Sequence, residues 1–296
     1  MKLSIIIPTR NRSNKIRILL RKLKLNKKFF NEILIIDSSE TYFKQKTKKL
    51  INNYFKNLNI KYYEAEPSIS KQRNIGIKKM SKKNNYYMLI DDDIDFKRGS
   101  FKIIQKFIKN NNSYIGYSFN ILTKQKLNIL DDFKKNFVFK KLGLYNNRPG
   151  VVTPSGWQTK ISNLSKNLEV NWMPSCASIY KAREKIYFDE FYDGYSYLED
   201  LDFSYRKSKR GKLIVVKNAI CFHNNFIERK NISFGKKELV NRYYFVKKND
   251  LNFFSFFLAS ILKIISNFIN LKFFRFLGNI LGFIKIIGSY FFLIKL

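Results

Sequence analysis

The segment Tyr86-Tyr87-Met88-Leu89-Ile90-Asp91-Asp92-Asp93 joins a run of large apolar and aromatic residues to three consecutive aspartates. A short, uninterrupted run of this kind is typical of a strand that is buried on both faces of a sheet. With Asp95, four carboxylates lie within five positions directly after the strand, and their repulsion requires a cation or hydrogen-bond donors. Hard divalent cations take oxygen ligands and often share them with substrate phosphates. The segment therefore predicts a metal–diphosphate site, although one aspartate would suffice to cap the helix expected at about 97–109.

The residues before this segment alternate between short apolar runs and amphipathic stretches. Apolar runs predict strands at 3–7, 32–36 and 60–63, and helical spacing predicts helices at 16–23, at about 44–57 and from Ser68 or Ser70, the last with Ile75 and Met80 directed inward. Strands that alternate with helices predict an α/β fold with a mostly parallel, Rossmann-like central sheet that is flanked by helices. In such sheets ligands bind at the carboxyl ends of the strands. The turn Thr9–Arg12, Asp37 and the aspartate triplet all fall at those ends.

The net charge of +35 has two interpretations. It attracts polyanions such as nucleic acid, nucleotide phosphates or an anionic membrane surface. It also accompanies a general enrichment in Lys, Asn, Ile, Phe and Tyr, so that many lysines are expected to be solvated surface residues. The apolar fraction of 45% excludes wholesale disorder.

The two cysteines and the first residues of the chain indicate a cytosolic environment. Cys176 and Cys221 lie far apart and form no zinc-binding or redox motif, so we expect both to be reduced and buried. The apolar run that ends at Pro8 is too short to act as a signal peptide.

A second acidic group, Glu199-Asp200-Leu201-Asp202, precedes a predicted helix. Asp202 and Arg206 are four residues apart, a spacing that predicts an ion pair within the helix. Glu199 and Asp200 lie at the helix entrance, where a carboxylate either caps the helix or faces a cleft. His223 is the only histidine, and its position at the end of an apolar run suits a structural role as well as a metal ligand.

Several motifs in order resemble those of family 2 glycosyltransferases, which have a GT-A fold. The resemblance covers about residues 1–225 and extends more loosely over 242–249. It is carried by Ser4–Arg12 (SIIIPTRNR), Ile35–Asp37 (IID), Arg73–Gly76 (RNIG), Leu89–Asp93 (LIDDD), Trp172–Ser178 (WMPSCAS), Phe188–Glu190 (FDE), Leu198–Arg206 (LEDLDFSYR) and His223. Each motif alone is weak, whereas four in order within the first half are specific.

The resemblance implies a role for each matching residue at the donor. Pro8, Thr9, Arg12 and Asp37 would hold the base and ribose of the donor, and Arg73 would lie near the base or the diphosphate. Asp91 and Asp93 bracket a DxD motif, in which Asp93 would bind the metal and Asp92 would contact the sugar or ribose. Two departures from the family pattern, Ser38 and Cys176-Ala177, affect the expected nucleotide specificity and the acceptor loop respectively.

The resemblance also implies the reaction. It is the metal-dependent, inverting transfer of a sugar from a nucleotide diphosphate sugar, with UDP-sugar favoured, to a hydroxyl of a glycan, lipid-linked or protein acceptor in polysaccharide assembly. By resemblance Asp200, with Glu199 in reserve, is the base that takes the proton of the acceptor hydroxyl. His223 would join Asp91 and Asp93 at Mg²⁺ or Mn²⁺.

Composition divides the chain into a glycosyltransferase domain over 1–235, with halves 1–95 and 96–235, and a helical tail over 236–296. Beyond Asp250 no acidic residue occurs, and Phe, Ile and Leu surround a narrow polar stripe that includes Ser255, Lys263 and Asn267. A wide apolar face with scattered basic residues predicts helices that lie in an anionic membrane interface through 250–296. Helices that span the bilayer, or that are buried in protein, remain alternatives.

These features predict a cytoplasmic enzyme that is peripheral on the inner face of the cell membrane. The alternatives are a catalytically silent GT-A protein that acts as a membrane scaffold, and a basic nucleic-acid-binding protein. No nucleic-acid-binding motif accompanies the positive charge, and the aspartates crowd the position that phosphates would have to approach without a metal. Nucleic acid is therefore not an expected partner.

Overall fold

The structure is a computed structural model that describes residues 1–123, 137–183, 186–193, 196–223 and 231–291. The chain forms two compact units, one of residues 1–124 and 161–225 and the other of residues 125–160 and 226–296. The predicted domain boundary at residue 235 stays a prediction. The two units are grouped differently, with segment 125–160 in the same unit as the C-terminal helices.

The first unit contains a sheet and the helices that cover it. Its strands are β1 (Leu3–Thr9), β2 (Glu32–Asp37), β3 (Ile60–Glu64), β4 (Tyr86–Ile90), β5 (Ile94–Phe96), β6 (Gly116–Leu122), β7 (Leu168–Val170), β8 (Ala177–Lys181) and β9 (Leu213–His223). Its helices are α1 (Ser13–Lys24), α2 (Thr41–Tyr54), α3 (Ile69–Lys79), α4 (Ser100–Asn110) and α6 (Glu199–Ser208), with a 3₁₀ turn at Lys27–Phe29. The second unit contains α5 (Phe137–Lys141), α7 (Ile232–Lys248), α8 (Phe253–Ile269) and α9 (Phe273–Phe291).

The sheet is mixed, which corrects the expectation of a mostly parallel one. Its order is β3-β2-β1-β4-β8-β6-β9-β5, with β7 also paired to β9. The parallel part, β3-β2-β1-β4, is the half that the sequence predicts. Beyond it β8 runs antiparallel to both β4 and β6. Because paired residues of β4 and β8 lie about ninety positions apart in the sequence, local periodicity contains no signal for the relative direction of the two strands.

Helix α3 departs from its predicted orientation. Ser68 caps it, as one of the two alternatives predicted, and its hydroxyl accepts from the Lys71 amide. Ile75 and Met80 are only half-buried, and the buried positions are Ser70, Gln72, Arg73, Asn74 and Gly76. The prediction that α3 directs Ile75 and Met80 inward is therefore wrong. At Gly76 a Cβ would lie 2.3 Å from Cγ2 of Ile6, so glycine permits the helix to approach β1 closely.

In the second unit, helices α7 and α9 approach each other backbone to backbone. A Cβ at Gly278 would lie 2.1 Å from the carbonyl oxygen of Ile232, and one at Gly235 would lie 2.4 Å from that of Arg275. Among the described residues, no helix is both long and apolar enough to cross a bilayer. Residues 292–296 of the predicted tail lie outside the described residues.

Candidate active site

Asp91, Asp93 and His223 come together at the end of β4. Antiparallel pairing of β5 with β9 places Ile94 opposite His223, next to the aspartate triplet. One possible ligand atom from each of Asp91, Asp93 and His223 lies within 4.8 Å of the other two. Residues that are 130 positions apart in the sequence thus form a cluster of three metal-binding side chains.

The electrostatics of this cluster favour a cation. His223 Nε2 lies 3.3 Å from Asp93 Oδ1. This hydrogen bond, with the charges of Asp91 and Asp93, raises the pKa of His223 above its ordinary value despite burial and nearby Arg12. Two carboxylates and an imidazole form a donor set that fits Mn²⁺, and fits the all-oxygen preference of Mg²⁺ less well. Since a metal would displace the imidazole proton, its binding would release protons.

Asp92 is held by the end of β1. Its carboxylate accepts hydrogen bonds from Thr9 Oγ1 at 2.7 Å and from Arg12 Nη1 at 3.0 Å, and the same Arg12 nitrogen lies 3.1 Å from Asp93. Burial raises the pKa of Asp92 to about 6, although Thr9 and Arg12 favour the charged form. Asp95 turns away and pairs with Lys22 at 2.8 Å, so only three of the four carboxylates share the site.

Arg73 links the aspartate triplet to the start of α6. Its guanidinium donates to Asp91 Oδ1 and to Glu199 Oε1, both at 3.0 Å, and its side chain is 4% exposed. Burial alone would lower its pKa, but the charges of Asp91, Glu199 and Asp200 raise it. Arg73 therefore lies beside the predicted metal ligands, with two of its nitrogens engaged by carboxylates.

The two acids at the start of α6 differ in their surroundings. Neither caps the helix, since Leu198 is the N-terminal flanking residue and no side-chain cap is formed. The Glu199 carboxylate is engaged by Arg73. Asp200 is half-buried and accepts from the Leu201 amide at 2.7 Å. Asp202 Oδ2 pairs with Arg206 Nε at 2.8 Å, which confirms the predicted ion pair within the helix.

Asp37 lies at the carboxyl end of β2, opposite Thr9 in the β1–β2 register and one position beyond the pair of Pro8 and Ile36. It is fully buried. Its oxygens accept from the Ser39 amide and from the Tyr62 hydroxyl, each at 2.8 Å. Burial and the charge of Asp37 raise the pKa of Tyr62.

Three residues that support the site were missed by the sequence analysis. Tyr62 fixes Asp37, as described above. Gln72 Nε2 donates to the carbonyl oxygens of Thr9 and Ile36, which ties the ends of β1 and β2 together. The Asn74 amide bonds both to the backbone N–H and to the C=O of Phe188. The available signal was the run of polar residues Ser70–Asn74 at positions where a helix normally places its apolar face.

Sequence comparison assigns the family. The family described as Glycosyl transferase family 2 matches residues 4–158, just over half of the chain. The chain belongs to glycosyl transferase family 2. The resemblance inferred from the motifs is thereby confirmed. Asp200 and His223 lie beyond the matched residues of this family 2 chain. No curated protein matches the chain by sequence.

Solved glycosyltransferase structures share the fold of this family 2 chain at low sequence identity. TarS from S. aureus is 17% identical with a TM-score of 0.52, over 100% of this chain and 76% of that chain. GalNAc-T7, crystallised with UDP, GalNAc and Mn²⁺, is 15% identical with a TM-score of 0.59, over 83% and 48%. The mannosyltransferase PcManGT from Pyrobaculum calidifontis, with GDP-Man and Mn²⁺, is 13% identical with a TM-score of 0.52, over 83% and 63%. The chain has an α/β GT-A-like glycosyltransferase fold.

Proposed function

We propose that this family 2 glycosyltransferase moves a sugar from a nucleoside diphosphate sugar to an acceptor hydroxyl with the help of a divalent cation. The observation that carries the proposal is the Asp91–Asp93–His223 cluster at the carboxyl ends of the strands. Three structures with the same fold support it: TarS was crystallised with UDP-GlcNAc, GalNAc-T7 with UDP and Mn²⁺, and PcManGT with GDP-Man and Mn²⁺. UDP-sugar is the first donor to test, and Mn²⁺ or Mg²⁺ the cofactor.

Asp91, Asp93 and His223 would hold the cation. A bound divalent cation offsets the charge that develops on the diphosphate leaving group. Pro8, Thr9 and Asp37 line the strand ends where the base and ribose would bind, and Asp92 would contact the sugar or ribose. Arg12 and Arg73 hold the aspartates in place and add positive charge beside the diphosphate.

Asp200 is the proposed catalytic base. It would accept the proton of the acceptor hydroxyl while the acceptor oxygen forms its bond to the anomeric carbon and the bond to the nucleoside diphosphate breaks. Attack from the face opposite the leaving group inverts the anomeric centre. Glu199 is the weaker candidate because its carboxylate is engaged by Arg73.

Asp200→Asn is expected to lower kcat by about 10²–10⁴-fold and to leave the KM for the donor nearly unchanged, because the amide is similar in shape but accepts no proton. The matched variant Glu199→Gln is expected to weaken the pair with Arg73 and so to lower the midpoint of thermal unfolding. Its loss of kcat is expected to be smaller than that of Asp200→Asn. Steady-state kinetics and thermal unfolding of both variants provide the measurement. Equal loss of kcat in the two variants would contradict the assignment of the base to Asp200.

A panel of UDP-, GDP-, dTDP- and CMP-sugars, each with Mn²⁺, Mg²⁺ or EDTA, tests the proposed function. We expect metal-dependent binding and slow hydrolysis of one nucleotide class. A catalytically silent scaffold would bind none of the donors. A nucleic-acid-binding protein would instead bind oligonucleotides with an affinity that falls steeply with salt.

The acceptor is proposed more broadly, as a hydroxyl of a glycan, a lipid-linked glycan or a protein. A cytoplasmic location, peripheral on the inner face of the cell membrane, stays a prediction.

A further inference from the structure

Helices α8 and α9 bury polar residues beside the apolar Phe256, Ala259 and Ile286, and they expose a row of large apolar residues. In α8 the residues Ser255, Ser260 and Asn267 are buried, and in α9 the buried residues include Gly278 and Asn279. From Leu262 onward the exposed large apolar residues of both helices recur mainly at spacings of three or four, which places them along one face of each helix. In α8 these residues are Phe254, Leu262, Ile265, Phe268 and Ile269, and in α9 they are Phe273, Phe274, Leu277, Leu281, Ile284 and Ile287.

Glu238, Lys263 and Arg275 form a charged network inside this unit. Glu238 of α7 is 1% exposed and accepts two hydrogen bonds from Arg275 of α9, at 2.6 and 3.0 Å. Lys263 of α8 lies 3.6 Å from the same carboxylate. Asn279 donates to the Gly235 carbonyl at 2.8 Å and accepts from Asn267 at 2.5 Å. These buried polar groups are thus satisfied within the bundle and leave the outer faces of α8 and α9 to apolar side chains.

The two apolar faces meet at the turn between α8 and α9. Leu271 and Phe274 are 73% and 66% exposed, and the rings of Phe268 and Phe273 lie 6.4 Å apart. Lys272, also exposed, lies between these side chains in the sequence. The turn thus combines large apolar side chains with a basic residue, the combination that amphipathic membrane-binding segments use at a lipid surface. We define residues 268–274 as the apolar tip.

We propose that the apolar tip and the outer faces of α8 and α9 form a docking surface for an anionic lipid bilayer, into which the tip inserts. Charge complementarity selects this occupant, because residues after Asp250 include no acid, and the exposed Lys272 lies within the tip, with Lys285 further along α9. Helices with one wide apolar face bind by lying in the plane of the bilayer interface, and this is the proposed binding mode of α8 and α9. The proposal goes beyond sugar transfer and does not depend on it.

Flotation of the full chain with vesicles tests the docking surface in the absence of nucleotide. Vesicles of phosphatidylcholine mixed with phosphatidylglycerol are compared with vesicles of phosphatidylcholine alone. The variant Leu271→Glu/Phe274→Glu removes two exposed apolar side chains from the tip. The control Leu25→Glu/Tyr42→Glu makes the same change of charge at two exposed apolar positions of the other unit, which are 85% and 66% exposed.

The wild type is expected to float with the anionic vesicles. The tip variant is expected to lose at least about 100-fold in partition coefficient, and the control less than about threefold. Because the tip side chains are exposed, unchanged circular dichroism of the variant is expected. Absence of wild-type flotation, or equal loss in both variants, would overturn the proposal. It would also be overturned if light scattering showed a dimer that only the tip variant dissociates, without vesicle binding by either protein.

Discussion

Asp93→Ala is expected to abolish Mn²⁺-dependent binding of the donor nucleotide and to lower sugar transfer by at least about 1,000-fold. The Asp93 side chain is 7% exposed and lies next to both His223 and Arg12. Its loss removes one of the three proposed ligands and would leave the cation with an incomplete donor set. It also removes charge stabilisation of the leaving diphosphate, which alone is worth several kcal/mol in such sites. Titration with UDP in Mn²⁺ and in EDTA, followed by turnover assays, provides the measurement.

Asp95→Ala is the matched control for this variant. Asp95 lies two positions further along the same segment, but it pairs with Lys22 and does not join the cluster. A partly exposed pair of this kind contributes at most about 1 kcal/mol, so nucleotide binding and turnover are expected to stay within about threefold of the wild type. If Asp93→Ala and Asp95→Ala lost nucleotide binding and turnover to the same extent, the effect would be a general one of negative charge. That result would contradict a cation bound at Asp91, Asp93 and His223.

Glu238→Gln is expected to lower the free energy of unfolding of the second unit by about 3–5 kcal/mol. The substitution leaves Arg275 and Lys263 without their buried carboxylate, and breaking one side of a buried ion pair costs this much. Trp157 lies in the same unit and stacks on Phe256, so its fluorescence follows unfolding in a Trp172→Phe background. Urea titration with this signal provides the measurement.

The pH dependence of stability gives a second test at Glu238. Burial would raise the pKa of Glu238, but the positive charges of Lys263, Arg275 and Arg242 and the bond from Arg275 outweigh it and lower the pKa to about 2, against an unfolded value of about 4.5. The folded state therefore gains stability, about 3 kcal/mol, that is fully present above pH about 4.5 and is lost as the pH falls toward about 2. Glu238→Gln removes this acid-sensitive contribution.

Glu64→Gln is the surface control. Bonds from Lys44 and Lys48 also lower the pKa of Glu64 to about 2, but its side chain is 47% exposed. Because solvent screens exposed pairs, this substitution is expected to cost less than about 1 kcal/mol. A similar cost for the Glu64 and Glu238 variants would contradict the buried network of the second unit.

Local patterns predicted the parallel part of the sheet well. The strands that end at Thr9, Asp37 and Ile90 are where the apolar runs place them, and α2 begins and ends about three residues earlier than expected. Parallel strands bring their carboxyl ends to one edge, so the approach of Thr9 to Asp92 follows from strand order alone. Both cysteines are free and buried, as predicted.

Contacts between distant segments could not be predicted from local patterns. Arg73 and Glu199 are 126 residues apart, and their pairing depends on where α3 and α6 lie against the sheet. Similarly, the inner face of α3 is polar and lacks the usual apolar periodicity, because its side chains form hydrogen bonds with strand ends and loops. In the tail, the sequence revealed a polar stripe along α8, but only the tertiary structure shows that Lys263 of this stripe lies 3.6 Å from Glu238 of α7.

The most direct test of the cation site uses the single histidine of the chain. Pulsed electron paramagnetic resonance of Mn²⁺ bound to the untagged protein with UDP reports a nitrogen coupling only if an imidazole coordinates the metal. The account predicts an imidazole nitrogen coupling that disappears in His223→Ala. Mn²⁺ bound without nitrogen coupling, or UDP bound equally well in EDTA, would contradict it.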